Sequence, residues 1–327
     1  LITGAPRSGT TFLGSIFRQS SEIFYVHEPF NKQYGVISLD ESYPYHLVNE
    51  NYPVFDSVVK RILQKKKIKY KLLDFQGTPI NSKGLLWKKF LTNSFSFRNF
   101  FYIIWRSLFR SKTQLSYSFR RLFAKKQRVL IKDPTICLSS LYLEEKYNFA
   151  VILLIRHPLA YVSSMKRLGW GYLAGNLFRK KPNLMKDYLH KFHDKITLYQ
   201  NEKFSPIHRY ALDWKCFYSV LFDFIERNPR IIPISHENLS KNPKTTVKKL
   251  FRTLKLEYSP EIETEIEKMT AKTNSPEATG NQVHDLYRDS QNLVKIWKSR
   301  LNEEEISIIK NETYNVASRF YDDASWL

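Results

Sequence analysis

The stretch LITGAPRSGTTFLGSIF, residues 1–17, decides how the chain is read. Leu1, Ile2 and Thr3 are apolar or β-branched, residues 4–9 form a glycine-bounded turn, and from Thr10 the apolar residues Phe12, Leu13, Ile16 and Phe17 recur on one helix face. A tight glycine turn directly ahead of a helix lets successive backbone N–H groups converge on an anion at the helix N-terminus. Phosphate binding is therefore expected of Arg7, Ser8, Gly9, Thr10 and Thr11. A nucleotide kinase would read G-x-x-x-x-G-K-[ST], with Lys on the β/γ-phosphates and a hydroxyl on Mg²⁺. Here Thr10 follows Gly9 and the cation of the loop is Arg7, which suits a single 5′-phosphate and the group it carries.

Outward from this unit the alternation continues. Residues 23–26 form a second short strand that ends at His27, Glu28 and Pro29, and residues 128–132 and 150–155 form two more. The run 150–155 is continuously apolar, as in central parallel strands. From Pro206 a long helix carries Trp214, Phe217, Tyr218, Leu221 and Phe224, residues 231–234 form a fifth strand, and Asn242 and Pro243 begin another helix. A last helix, capped near Asn302 with acidic residues in its first turn, runs to Tyr321. Strands alternating with helices predict an α/β fold, a central parallel sheet flanked by helices.

With 327 residues, 43% of them hydrophobic, the chain can bury roughly 75% of its unfolded surface as one domain. Cys137 and Cys216 lack metal or redox spacing and read as buried thiols. No metal site is expected. A net charge of +21 calls for anionic partners. No apolar run approaches the ~20 residues of a spanning helix. The chain opens at Leu1 inside a strand, so the expectation is a cytoplasmic or membrane-peripheral protein, or a Golgi-lumenal one if an upstream anchor has been removed.

Residues 35–127 break the rhythm and read as an insert in the single domain 1–327. Between Asp74 and Asp133 there are thirteen Lys and Arg and no acidic residue, interleaved with aromatics from Trp87 to Phe123. Such a surface can dock an anionic glycan, lie on an acidic membrane, or bind nucleic acid.

The PRSGTT of residues 6–11 resembles the 5′-phosphosulfate loop of sulfotransferases that use 3′-phosphoadenosine-5′-phosphosulfate (PAPS), above all the carbohydrate and tyrosylprotein branches. RQSSEIFYVHEPF (18–30), RYALDWKCFYSVL (209–221) and ISHENLSKNPKTTVKKLFRTL (234–254) resemble further segments of that family, and residues 166–189 are similar to bacterial members. His236 stands where the family has Tyr, which puts that adenine-side contact in doubt. The resemblance implies a P-loop nucleotide-kinase-like fold with a mainly helical basic insert, PAPS as co-substrate and no metal.

In LLIRHPLAYVSSM (153–165), Arg156 stands at the carboxyl end of an apolar strand, where open α/β sheets bind ligands, and Ser164 follows eight residues later, two helical turns along. Alone, a strand-end Arg can equally serve a surface ion pair. The resemblance gives Arg156 and Ser164 the 3′-phosphate. As general base, the residues point to Glu28 at the end of the second strand, 21 residues after Arg7, the spacing of the tyrosylprotein branch. His27 is the alternative, on the opposite strand face. The aryl and steroid branch uses Lys-Thr-His after its third strand, whereas this chain has Lys132, Asp133 and Pro134, so Lys132 either neutralises the sulfuryl group or pairs with Asp133.

The expected acceptor is a glycan, then a glycolipid, docked by the basic insert, with an anionic membrane meeting 83–128 as an alternative use and nucleic acid disfavoured. A phosphate-loop kinase and a non-catalytic polyanion or membrane binder are the competing functions.

Overall fold

Apolar runs with both faces to cover form a sheet between two layers, and period-two alternation assigns each side chain to one of them. The computed structural model describes residues 1–73, 79–80, 104–105, 110–201, 203–275, 286–287 and 289–327. Strands β1 (Ile2–Gly4), β2 (Ile23–His27), β5 (Arg128–Lys132), β6 (Val151–Ile155) and β7 (Ile231–Ser235) form one parallel sheet in the order β2-β5-β1-β6-β7. A separate antiparallel pair joins β3 (Leu72–Leu73) to β4 (Pro79–Ile80).

Ile152 and Leu154 face a core built with Leu13, Ile16 and Phe17 of α1 (Thr10–Phe17). Val151, Leu153 and Ile155 face the other, larger core. Into that core pack Phe55, Val59 and Ile62 of α2 (Pro53–Leu63) and Tyr117 of α3 (Lys112–Phe123). α4 (Pro158–Leu168) and α5 (Pro206–Arg227) pack on the same side. So the described part of 35–127 shares the core of the sheet. The lysines and arginines at 83, 88, 89, 98 and 106, and most of the aromatics between them, lie outside the described residues.

The long helix expected from Pro206 is α5, whose apolar face is buried against β6. The last helix, α6 (Glu303–Ala317), starts with reciprocal caps between Asn302 and Glu305 and stops short of Tyr321, whose hydroxyl instead donates to Glu237 at 2.9 Å. Both cysteines are buried and free. Among the described residues no helix is long and apolar enough to cross a membrane.

Because the chain leaves β1 for β2 at one edge, returns through β5 and then crosses to β6, the strand order reverses around β1. The carboxyl ends there open a crevice, the position where such sheets bind ligands. α5 holds one wall: Trp214 Nε1 donates to the Arg156 carbonyl at 2.8 Å, and the Arg156 N–H donates to the Tyr218 hydroxyl oxygen at 2.9 Å.

Replacing Tyr218 by Phe removes that acceptor and leaves a buried N–H unpaired. Urea unfolding of the variant should show a loss of about 1–3 kcal/mol. Undiminished stability would mean the hydroxyl does not hold the strand end.

Candidate active site

The turn after β1 closes with the Ser8 N–H on the Ala5 carbonyl at 3.3 Å, and its neighbours take left-handed backbones, Arg7 with φ 65° and Gly9 with φ 95°. A side chain at Gly9 would meet the His236 ring, with its Cβ 2.9 Å from Cδ2. The amides of the first turn of α1 have no acceptor within the helix. Arg7, Gly9, Thr10 and Thr11 line a cleft of about 210 Å³.

Ser8 departs from the expectation. It is fully buried with its N–H committed to the turn, and its hydroxyl lies 2.7 Å from where a Cβ on Gly4 would sit. The left-handed residues on either side turn it inward, so it shapes the loop and does not line the cleft.

Arg156 and Ser164 line the same cleft. Arg7 Nε donates to Ser164 Oγ at 3.1 Å, and Arg156 Nη1 donates to the Arg7 carbonyl at 2.5 Å. Segments more than a hundred residues apart in sequence are thereby tied together, and both arginines line the cleft.

Glu28 stands on the far side of the turn, one residue past β2. Its φ of 41° is left-handed, a strain of order 1–3 kcal/mol for a non-glycine residue, and its N–H donates to the Lys132 carbonyl at 2.8 Å. The carboxylate receives Lys132 Nζ, the Tyr34 hydroxyl, and Asn31 Nδ2 at 3.0 Å. Burial alone would raise its pKa. The charge of Lys132, then that of His27, and the hydrogen bonds from Lys132 and Tyr34 outweigh burial and hold it below the usual carboxylate value. The result is a carboxylate ionised at neutral pH, 3% exposed yet lining the cleft.

Lys132 takes neither of its expected positions. It is 0% exposed, does not line the cleft, and pairs with Glu28. Asp133 is satisfied elsewhere: its carboxylate accepts the Phe30 N–H at 2.8 Å, the Thr135 N–H at 2.9 Å and the Thr135 hydroxyl at 2.7 Å. Burial, then the charge of Glu28, pushes Asp133 up to about 7. Strand alternation explains the separation, since adjacent residues of a strand point to opposite faces. His27 Nδ1 lies 3.1 Å from the Tyr25 hydroxyl, two residues back on the same strand face.

Asn31, Tyr34 and Tyr43 also line the cleft and were not picked out from the sequence. Asn31 and Tyr34 follow Glu28 by three and six residues in a turn, where neither helical nor strand periodicity marks a shared face. Among the described residues of 35–127, Tyr43 alone reaches this cleft.

A family model for the sulfotransferase domain matches residues 1–313. No curated protein matches the chain. Among solved structures, a sulfotransferase domain from the curacin biosynthetic pathway is 16% identical with a TM-score of 0.46, covering 98% of this chain and 96% of that one. The sulfotransferase domain of the Synechococcus PCC 7002 olefin synthase is 14% identical with a TM-score of 0.46, covering 98% and 94%. A sulfotransferase from Mycobacterium avium is 13% identical with a TM-score of 0.40, covering 98% and 76%.

Gly9→Ala tests the loop. The left-handed backbone should cost about 1–2 kcal/mol, and contact with His236 should displace the turn, so thermal stabilisation of the parent by inorganic pyrophosphate should be lost in the variant. Equal stabilisation of both proteins would show that the loop does not hold the anion.

Proposed function

The chain belongs to the sulfotransferase family, and from that premise we propose that it moves a sulfuryl group from PAPS to a hydroxyl of a carbohydrate or glycolipid, with Glu28 as general base. The observation that carries the reading is the shared cleft: Arg7, Thr10, Thr11, Arg156, Ser164 and Glu28 all line it. Two anion grips and one ionised carboxylate in a single crevice match a donor with phosphates on both its 5′ and 3′ positions and an acceptor that must lose a proton.

In this reading the amides at the start of α1 and the Arg7 guanidinium hold the 5′-phosphosulfate, and Arg156 with Ser164 holds the 3′-phosphate. Charge-assisted hydrogen bonds of this kind contribute ~1.5–3 kcal/mol each. Phe12, His236 and Leu293 line both the cleft and an adjoining apolar recess of about 70 Å³, which suits one edge of the flat base.

The acceptor hydroxyl enters beside Glu28. As its oxygen bonds to sulfur, its proton passes to the carboxylate, the bond from sulfur to the 5′-phosphate oxygen breaks, and the bisphosphate leaves with the electron pair. Arg7 is placed to meet the charge that develops on the leaving phosphate. Lys132 acts through Glu28, keeping it ionised and oriented, and Tyr34 and Asn31 fix the second carboxylate oxygen. A hydroxyl-rich acceptor is favoured by the polar side chains of Asn31, Tyr34, Tyr43 and Thr135 along that wall.

Glu28→Gln is nearly isosteric and removes the base, and because it leaves Lys132 buried without its counter-charge the unliganded variant should melt lower than the parent. Radiolabelled sulfate transfer from PAPS to a glycan and glycolipid panel should fall by ~10²–10⁴-fold, while thermal stabilisation by adenosine 3′,5′-bisphosphate should match the parent. Turnover at the parent rate would remove the base assignment, and no transfer to any glycan by the parent would remove the acceptor class.

Lys132→Gln tests the ion pair. With the depressing charge gone, burial raises the Glu28 pKa, so the base is lost at higher pH as the solution is acidified. The acid limb of kcat/KM, below the ordinary carboxylate range in the parent, should move upward in the variant. Superimposable pH profiles would show that Lys132 does not set the protonation of Glu28.

A further inference from the structure

α3 presents apolar side chains on both sides. Its inner face is anchored: Gln114 Oε1 accepts the Tyr70 N–H at 2.8 Å, Gln114 Nε2 donates to the Ile68 carbonyl at 3.2 Å, and the Tyr117 hydroxyl donates to the Lys66 carbonyl at 2.7 Å. The outer face carries Leu115, Phe119, Leu122 and Phe123 at helical spacing, with Lys112 at one end and Lys126 just past the other. Phe119, Leu122 and Phe123 are 62%, 67% and 69% exposed, and the two phenyl rings lie 5.3 Å apart. Three large apolar side chains together in water mark an interaction surface.

The charge around them is of one sign. Lys112, Arg121, Lys125 and Lys126 lie along the helix or just past it, Arg120 and Arg128 are turned to the carbonyls of Ile23 and Leu254, and no acidic residue occurs from 75 to 132. Lys65 Nζ donates to the carbonyls of Ala124 at 2.6 Å and Lys125 at 3.0 Å, which brings the run KKKIK of residues 65–69 to the end of α3. Lys66, Lys67 and Lys69 there are exposed.

We propose that α3 and this lysine run dock the protein on an anionic phospholipid bilayer, with the helix lying flat. Phe119, Leu122 and Phe123 then enter the boundary between headgroups and acyl chains, and the lysines meet lipid phosphates. The pairing of the two features selects this partner. A soluble polyanionic glycan would engage the lysines and leave the three apolar side chains in water. The Tyr70 hydroxyl, whose own N–H is held by Gln114 of α3, donates to the His27 carbonyl at 3.3 Å, next to Glu28. The inference does not depend on the sulfuryl-transfer reading.

The full chain is sedimented with vesicles of phosphatidylcholine alone and with about 30% phosphatidylserine added, at low and high salt. Binding is expected to the anionic vesicles and to weaken with salt. Phe119→Ser, Leu122→Ser and Phe123→Ser combined should lower vesicle affinity by ~10-fold or more with unchanged thermal stability, since these side chains are exposed. Lys125→Glu with Lys126→Glu should do the same, and a Phe119→Trp reporter should shift to the blue only on anionic vesicles. Failure of the parent to bind, or undiminished binding by the triple serine variant, overturns the proposal. Heparin binding should survive the serine substitutions, and vesicle binding that survives them equally would assign the patch to charge alone and overturn the proposal.

Discussion

The ion pair between Lys132 and Glu28 is the constraint around which the rest of the site is arranged. Taking two charges out of water costs several kcal/mol per ion, and the cost is offset only when they meet each other and have their remaining hydrogen-bonding capacity filled. Here the carboxylate has Tyr34 and Asn31 as further donors, and the backbone beside it is bonded to the Lys132 carbonyl. These contacts together hold Glu28 at a left-handed φ that its side chain alone would not favour. Removing either charge leaves the other buried and uncompensated, at a cost of about 3–5 kcal/mol. The edge strand β2 is thereby fastened to β5 beside the cleft.

The helix next to this pair has accommodated it. Gly14 lies in the middle of α1, where glycine disfavours helix by about 1 kcal/mol relative to alanine. A Cβ there would stand 2.8 Å from Lys132 Cγ, so the missing side chain makes room for the lysine stem beside α1. The same helix therefore offers its amides to the cleft at one end and shelters the lysine farther along. On the other wall, the link from Arg7 to Ser164 and the Arg156 contact with the Arg7 carbonyl join β1 to β6. The cleft is thus bounded by groups held in place before any ligand arrives, which reduces the ordering cost of binding.

Much of this was legible from residues 1–17, because strand, glycine turn and helix each leave a local signal. Arg156 and Ser164 were legible for a related reason: a strand end and two helical turns fix their relation without knowledge of the rest of the fold. Lys132 was not. Its sequence neighbour Asp133 is the obvious partner, and only the parallel pairing of β5 with β2, a contact between segments about a hundred residues apart, brings Glu28 to it. That the Ser8 side chain is buried was not legible, because the loop pattern marks a turn without saying which of its residues face inward. Tyr34 and Asn31 depend on an irregular turn that no periodicity describes. Gly14 carried a signal, a helix-disfavouring residue inside a strong helical pattern, whose cause lies in another strand.

The positive charge of the chain serves two different physical situations. Arg156 in the cleft and the paired Lys132 behind it are almost wholly buried, so each is held by hydrogen bonds or by an opposite charge, and their fields act at short range with little screening. Along α3 and residues 65–69 the lysines are largely in water, where a single charge contributes little and salt screens it within about 10 Å. Such charges act collectively or not at all. A net charge of +21 is therefore a poor guide to the site itself, which is defined by a few dehydrated groups, and a better guide to the hydrated outer surface. The charges of the cleft are few and dehydrated, whereas those of the outer face are many and hydrated.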